Sequence, residues 1–254
     1  MRTYLVLAGG HDVRAFSQSL HHRVLVSFAF PKTYRKLMRS RIGIEYPVSL
    51  IVDSGAFSIF NNKRINHKIG VDDYLAWMRE VRPELEARFV DVRFINFDVI
   101  GDHEASHRNF RMLCDAGQPV APVVHYGSTD EQIEEVMSAA PFVAIGGLVP
   151  LSGRKSLIRP FLDRCVRIAR PYRTEMHLLG VMRPWVFEEY PQLFSCDSST
   201  WSRPLRFGLD RYPDLCTDLE DRERAIAIAG MLATRVLLLD TPDPVWDVDV
   251  DLVS

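Results

Sequence analysis

The chain has 254 residues, 47% of them hydrophobic and 25% charged, the balance of one soluble globular domain with a full-sized core. Formal net charge is −2, but the last fifteen residues hold Asp240, Asp243, Asp247, Asp249 and Asp251 with no Lys or Arg, so the body alone stands at +3; such a balance neither demands nor excludes nucleic acid. Four widely spread cysteines (Cys114, Cys165, Cys196, Cys216) with no C-x-x-C pair argue against a disulfide framework or a cysteine-rich zinc knuckle, and a reducing cytosol is the simplest compartment.

The first apolar run, Tyr4 to Ala8, is too short for a signal peptide or membrane span and reads as a strand, as does Arg23 to Phe28. Pro31 to Arg41 opens with a proline suited to a first helical turn. Ser49 to Asp53 is a third strand, and Val71 to Val81 a helix with Asp72-Asp73 near its start, where carboxylates favour the helix dipole. A strand over Arg93 to Val99 leads to a helix over Glu104 to Ala116, ended by Gly117 as a left-handed cap. Val120 to His125 is a strand, and Thr129 to Ala139 a helix behind the N-cap cluster Ser128-Thr129-Asp130-Glu131. Then come a strand over Phe142 to Ile145, a helix over Leu157 to Ala169, strands over Glu175 to Gly180 and Leu193 to Asp197, and a helix over Leu219 to Arg235. Eight strand runs alternating with helices predict an α/β fold, a single (β/α)8 TIM-like barrel with right-handed crossovers. The expected barrel spans 1–240, and 241–254 is an acidic tail or edge strand, because Val245 to Asp251 alternates with period two.

On that barrel the chemistry-bearing residues fall at the carboxyl ends of strands: Asp53, Asp98, His125, Gly146-Gly147, His177, Gly180 and Asp197. That rim is where barrel enzymes build their sites. One strand-end Asp is explained as well by capping the next helix, whereas three acids and two histidines converging on one rim are not. The motifs Asp53-Ser54-Gly55-Ala56-Phe57-Ser58 and Ser195-Cys196-Asp197-Ser198-Ser199-Thr200-Trp201 lie about 140 residues apart, and two such acids suit displacement at a sugar carbon. Asp197 is the expected nucleophile and Asp53 the general acid/base. Phe57 suits stacking on a planar ring as well as it suits core packing, and the glycine after Ser54 permits close approach of a ligand. Asp98 suits a purine reader, accepting from the ring N–H and exocyclic amine of guanine together. Gly146-Gly147 offers backbone amides to a base carbonyl, although a tight turn explains a diglycine equally. His103-Glu104-Ala105-Ser106-His107 matches the H-E-x-x-H pattern of zinc peptidases, but it begins at a helix start on the barrel exterior with no third ligand evident in the sequence. The basic clusters Arg35-Lys36 with Arg39 and Arg41, Lys63-Arg64 with Lys68, and Arg203 with Arg206 and Arg211 read as solvated faces or phosphate contacts.

In order along the chain, Asp53 to Ser58, Ala144-Ile145-Gly146-Gly147-Leu148, His177-Leu178-Leu179-Gly180-Val181 and Asp197 resemble motifs of the tRNA-guanine transglycosylase superfamily. The nearer likeness is to the phage and bacterial 7-deazaguanine DNA transglycosylases (DpdA-like), in Leu50 to Phe60, in Asp98-Val99-Ile100-Gly101-Asp102 with Asn109, in Pro122 to Gly127 and in Asp197 to Trp201. The resemblance implies Asp197 as nucleophile, Asp53 as acid/base, Asp98 with Gly147 as the base-recognition pair, Phe57 stacked on the base, and Ser54, Gly146 and His177 beside them. His125 stands where the tRNA enzymes carry a glutamine, and contacts base or sugar. Val149-Pro150-Leu151-Ser152 lacks the family's usual glutamate, which counts against queuine side-chain recognition.

The implied activity is exchange of guanine in DNA for a 7-deazaguanine such as 7-cyano-7-deazaguanine, by retaining double displacement, in the cytoplasm. DNA and the deazaguanine base are the expected partners, with no membrane. No cofactor is expected. The tRNA enzymes carry a C-terminal Cys-rich zinc site and this chain has only Cys216 there, so the resemblance implies a barrel without that zinc subdomain. A tRNA-guanine transglycosylase, a nucleoside or DNA N-glycosidase and a non-catalytic binding module are the alternatives.

Overall fold

Eight short apolar runs, each ended by a turn and followed by helix-forming sequence, wind into a ring of parallel strands. The computed structural model describes residues 1–61 and 69–241. In chain order the elements are β1 (Arg2–Leu7), α1 (Gly10–Ser17), β2 (Arg23–Ser27), α2 (Pro31–Arg39), β3 (Ser49–Asp53), α3 (Ala56–Asn61), α4 (Val71–Arg88), β4 (Asp91–Phe94) and α5 (His103–Asp115). They continue with β5 (Val123–His125), α6 (Asp130–Ala139), β6 (Phe142–Gly146), α7 (Lys155–Ala169), β7 (Glu175–Leu178), α8 (Pro184–Glu189), β8 (Ser195–Ser198), α9 (Arg203–Phe207) and α10 (Asp221–Leu237). The sheet order is β4-β3-β2-β1-β8-β7-β6-β5, and every paired neighbour is parallel. A single bridge, Ile95 to Ala121, joins the two ends and closes the (β/α)8 barrel.

Strand alternation sorts the apolar side chains into two layers. Tyr4, Leu25, Ile51, Ile95, Val123, Ala144 and Phe194 fill the barrel interior. Their strand neighbours, such as Leu5, Val24, Val26, Leu50 and Val52, pack outward against α1, α2, α4 and α10, and Val143, Ile145, Met176 and Cys196 against α6, α7 and α8. The amino-terminal end of the interior is plugged by Arg93, whose guanidinium lies 4.3 Å from the Phe142 ring centre and 4.6 Å from that of Phe194, and which is paired with Glu175. This closure leaves the opposite end, where strands give way to loops, as the open mouth. Behind α10 the chain returns to β1: Asp240 accepts from the Thr3 N–H at 2.8 Å and pairs with Arg23.

Several element boundaries differ from expectation, each for a local reason. The strand expected over Arg93 to Val99 stops at Phe94, and the one over Val120 to His125 starts at Val123. Between these strands only Ile95 and Ala121 meet: Pro119, two residues before Ala121 and so on the same side of the strand, lacks the N–H a longer ladder needs, and beyond the bridge the Asn96 carbonyl accepts from the Asp98 N–H instead. The helix expected to end at Val81 runs to Arg88, because Tyr74, Met78, Val81 and Leu85 form one buried stripe across Pro83, which faces solvent. Helices α1, α3, α8 and α9 are not among the elements read from the sequence, and α9 has only five residues. Gly9-Gly10 reads as a turn in sequence, yet Gly9 is the N-cap of α1, and α3 and α8 are too short at six residues to show a period. The Lys63-Arg64-Lys68 cluster, and the proposed tail beyond Thr241, lie outside the described residues. All four cysteines are free thiols.

Candidate active site

A cavity of about 180 Å³ opens at the carboxyl ends of the strands, and Asp53, Asp98 and Asp197 all line it. Strand register sets this convergence. Asp53 ends β3 opposite Ser27 of β2, and Asp197 lies in β8 opposite Tyr4 of β1. Asp98 comes three residues after the bridge residue Ile95, and His125 ends β5 opposite Gly146. Val6, Leu25, Phe30, Ala56, Ile100, Val149 and Leu179 supply apolar wall between the acids.

Each acid is held differently. Asp197 is buried, and its Oδ1 accepts from the Gly180 N–H at 2.9 Å and meets His177 Nε2 at 3.2 Å. His177 is fully buried, and its Nδ1 lies 2.7 Å from the Ser195 hydroxyl. A neutral imidazole with its proton on Nε2 satisfies both contacts, accepting from Ser195 and donating to Asp197. Both donors bind one carboxylate oxygen, which fixes the rotation of the group and leaves Oδ2 outside both contacts. Gly180 is required there: its φ is +71°, and a Cβ would meet Val149 Cγ2 at 2.5 Å.

Asp98 sits behind a second buried network. Ser54, fully buried, donates to its Oδ1 at 3.3 Å, and His125 Nε2 lies 2.7 Å from its Oδ2. Asp53 accepts from the Gly55 N–H at 2.9 Å and from the Ser27 hydroxyl. Although it faces the cavity and keeps partial solvent contact, desolvation raises its carboxyl to about 7, and the charges of Asp98 and then Asp197 push in the same direction, against those two hydrogen bonds. A carboxyl that changes protonation near neutrality is suited to give a proton and take it back. Gly55 has φ +83°, and a Cβ on it would meet Ala29 Cβ at 2.5 Å and Ser27 Oγ at 2.7 Å.

Of the residues singled out in the sequence, Asp53, Phe57, Asp98, His125, Gly146, Gly147, Gly180 and Asp197 line the cavity. Phe57 is 49% exposed on α3, an unusual exposure for a phenylalanine at a cavity wall. Gly147 is exposed with φ +77°, and a Cβ there would meet the Tyr126 backbone nitrogen at 3.1 Å. His177 and Ser54 stand behind the wall rather than on it, each orienting an acid. Ser195 and Ser27 are not among the residues singled out in the sequence; strand period points to Ser195, two residues before Asp197 on the same face, whereas Ser27 is the register partner of Asp53 and depends on how β2 and β3 pair. The H-E-x-x-H segment opens α5 on the barrel exterior, outside this cavity.

No family model and no curated protein matches the chain. Solved structures do. A putative fructose-1,6-biphosphate aldolase from Coccidioides immitis superposes with a TM-score of 0.53 at 11% identity, covering 94% of this chain and 88% of that one. A tryptophan synthase chain from M. tuberculosis gives 0.46 at 11% identity over 92% and 91%. The YdjI aldolase of Escherichia coli K12 gives 0.46 at 10% over 95% and 92%. At such identities the likeness shows the fold alone, the TIM-like barrel already evident from the strand order.

Proposed function

We propose that this chain is an enzyme, a glycosyltransferase of the guanine transglycosylase type, which exchanges guanine in DNA for a 7-deazaguanine such as 7-cyano-7-deazaguanine. The observation that carries the reading is the convergence of Asp53, Asp98 and Asp197 on one small cavity, with Asp53 raised to about 7 beside the braced Asp197. At 180 Å³ the cavity is below the usual range for drug-sized ligands, about 300–1,000 Å³, and suits one planar base with its sugar at the entrance.

Oδ2 of Asp197 attacks C1′ as the C1′–N9 bond of the flipped deoxyguanosine breaks, and protonated Asp53 gives its proton to the departing guanine. The incoming deazaguanine then loses its ring N–H proton to Asp53 and displaces Asp197 from C1′. Two inversions retain the β-linkage. Asp98, held by Ser54 and His125, accepts from the base's ring N–H and amine. Phe57 stacks on the base, and Gly147 N–H faces its carbonyl oxygen. The target base must leave the duplex to reach this well, at a cost of a few kcal/mol. Lys32, Arg35, Lys36 and Arg39 are all exposed on α2, which follows β2 from the mouth, and they supply phosphate contacts whose strength falls with salt.

The test incubates the protein with labelled guanine or 7-cyano-7-deazaguanine and either DNA or tRNA. Label entering DNA supports the reading. Label entering only tRNA moves the chain to the tRNA branch, and abasic product without exchange makes it an N-glycosidase. Asp197→Asn is expected to abolish covalent trapping and lower exchange by about 10⁴-fold or more; a variant that still exchanges removes the nucleophile from Asp197.

A further inference from the structure

The H-E-x-x-H segment does not reach the barrel mouth, yet the fold completes it. His103 and His107 are one helical turn apart on α5 and share a face. Glu135 of α6 comes between them: His103 Nε2 lies 3.0 Å from Glu135 Oε2, and His107 Nδ1 lies 3.3 Å from Glu135 Oε1. One ligand atom from each residue falls within 4.8 Å of the others. Tetrahedral coordination with bonds of about 2.0–2.1 Å sets neighbouring ligand atoms roughly 3.4 Å apart, so these separations already approximate a coordination shell.

A second observation points to the same place. Behind the two imidazoles is a cavity of about 10 Å³ whose polar lining is Asn96, His103, Ser106 and His107, with apolar side chains of α5, β5 and α6 making up the rest of its wall. Asn96 is buried there; its Nδ2 donates to the Ser106 carbonyl at 2.9 Å, while its Oδ1 has no hydrogen-bond partner among the described residues. A buried acceptor without a donor is costly, and the space is close to the minimum for one water molecule.

We propose that His103, His107 and Glu135 bind a divalent transition-metal ion such as zinc, on the outer wall of the barrel and apart from the cavity at its mouth. Two imidazoles and a carboxylate suit a borderline ion, and a water held by Asn96 Oδ1 takes the fourth position. Arg111 is the nearby cation that opposes the metal. The ion ties α5 to α6, the helices that follow the β4–α5 connection carrying Asp98 and the end of β5 carrying His125. Glu104, at the peptidase base position, is exposed and outside the ligand cluster, so the site is a clamp and not a peptidase centre.

The test uses the full chain, stripped with a chelator, dialysed, and titrated with zinc by calorimetry alongside elemental analysis. One zinc per chain is expected, with affinity at least tenfold weaker in His103→Ala, His107→Ala and Glu135→Gln. A wild-type chain without stoichiometric zinc, or a His103→Ala/His107→Ala variant of unchanged affinity, overturns the site. Cobalt substitution of the wild-type protein covers variants that fail to fold. Tetrahedral d–d bands without thiolate charge transfer support the site, and a thiolate band places the ion on cysteine and overturns it. None of these measurements depends on base exchange.

Discussion

Asp53 carries an energetic cost that the proposed acid/base role would explain. Desolvation first, then Asp98 and Asp197, raise its carboxyl from 3.8 to about 7, so the folded protein holds this proton more tightly than the unfolded chain does. The sign follows from linkage. Below pH 4 both states are protonated and Asp53 costs nothing; between about 4 and 7 the unfolded chain releases its proton first, and stability falls as pH rises; above 7 the loss is constant. Asp53→Asn removes that loss, so its stability relative to wild type should rise from pH 4 to 7 and level off, by at most roughly 4 kcal/mol at about 1.4 kcal/mol per unit. Urea unfolding at pH 4.5 and pH 8 measures it, and a difference that does not change with pH means that this carboxyl ionises as freely as in water. On the proposed mechanism the exchange rate also declines above pH 7, as the acid loses the proton it must donate.

At the scale of elements, the connection from β4 to α5 shows how a site acid is held where no ladder exists. After Ile95 the chain leaves the sheet, and α5 reaches back to it. The Ser106 hydroxyl takes the Val99 N–H at 2.8 Å, and the Asn109 amide donates to the Phe97 carbonyl at 2.7 Å. Asp98 lies between these two anchors. Ser106→Ala leaves the Val99 N–H unsatisfied and should cost about 1–3 kcal/mol. If the anchor also aims Asp98, KM for the incoming base rises several-fold; lost stability with an unchanged KM confines Ser106 to folding. Much of this was readable in the sequence. Strand period and the strand-end rule placed Asp53, Asp98, His125 and Asp197 on one rim without any knowledge of contacts. The partners that orient them were less legible, because Ser54 reaching Asp98 and His177 reaching Asp197 depend on which strands are neighbours. Glu135 was not legible at all, since no local pattern links a residue of α6 to two histidines on α5.

The whole barrel has one weak seam, and the site is built across it. β1 is laddered to β2 and β8, whereas β4 and β5 meet only through Ile95 and Ala121, with Asn96 N–H to the Ala121 carbonyl at 2.8 Å and Ala121 N–H to the Phe94 carbonyl at 2.7 Å. Pro119 denies the seam an N–H on one side of the bridge, the chain turns away at Asn96 on the other, and the 2.7 Å contact of Asp98 with His125 spans the same gap just above. Local opening follows the number of hydrogen bonds and contacts that must break together, so this seam should open at lower free energy than the β1–β2–β3 ladder. Native-state hydrogen exchange should therefore show the Asn96 and Ala121 amides exchanging faster than those of Val24, Leu25 and Ile51. Equal protection all round would make the barrel a uniformly closed ring. On the proposed function a base bound to Asp98 joins both sides of the seam, and 7-cyano-7-deazaguanine should slow exchange at Asn96 and Ala121 while leaving the β2 and β3 amides unchanged. Uniform slowing would mean general stabilisation by ligand, and no slowing would put the base elsewhere.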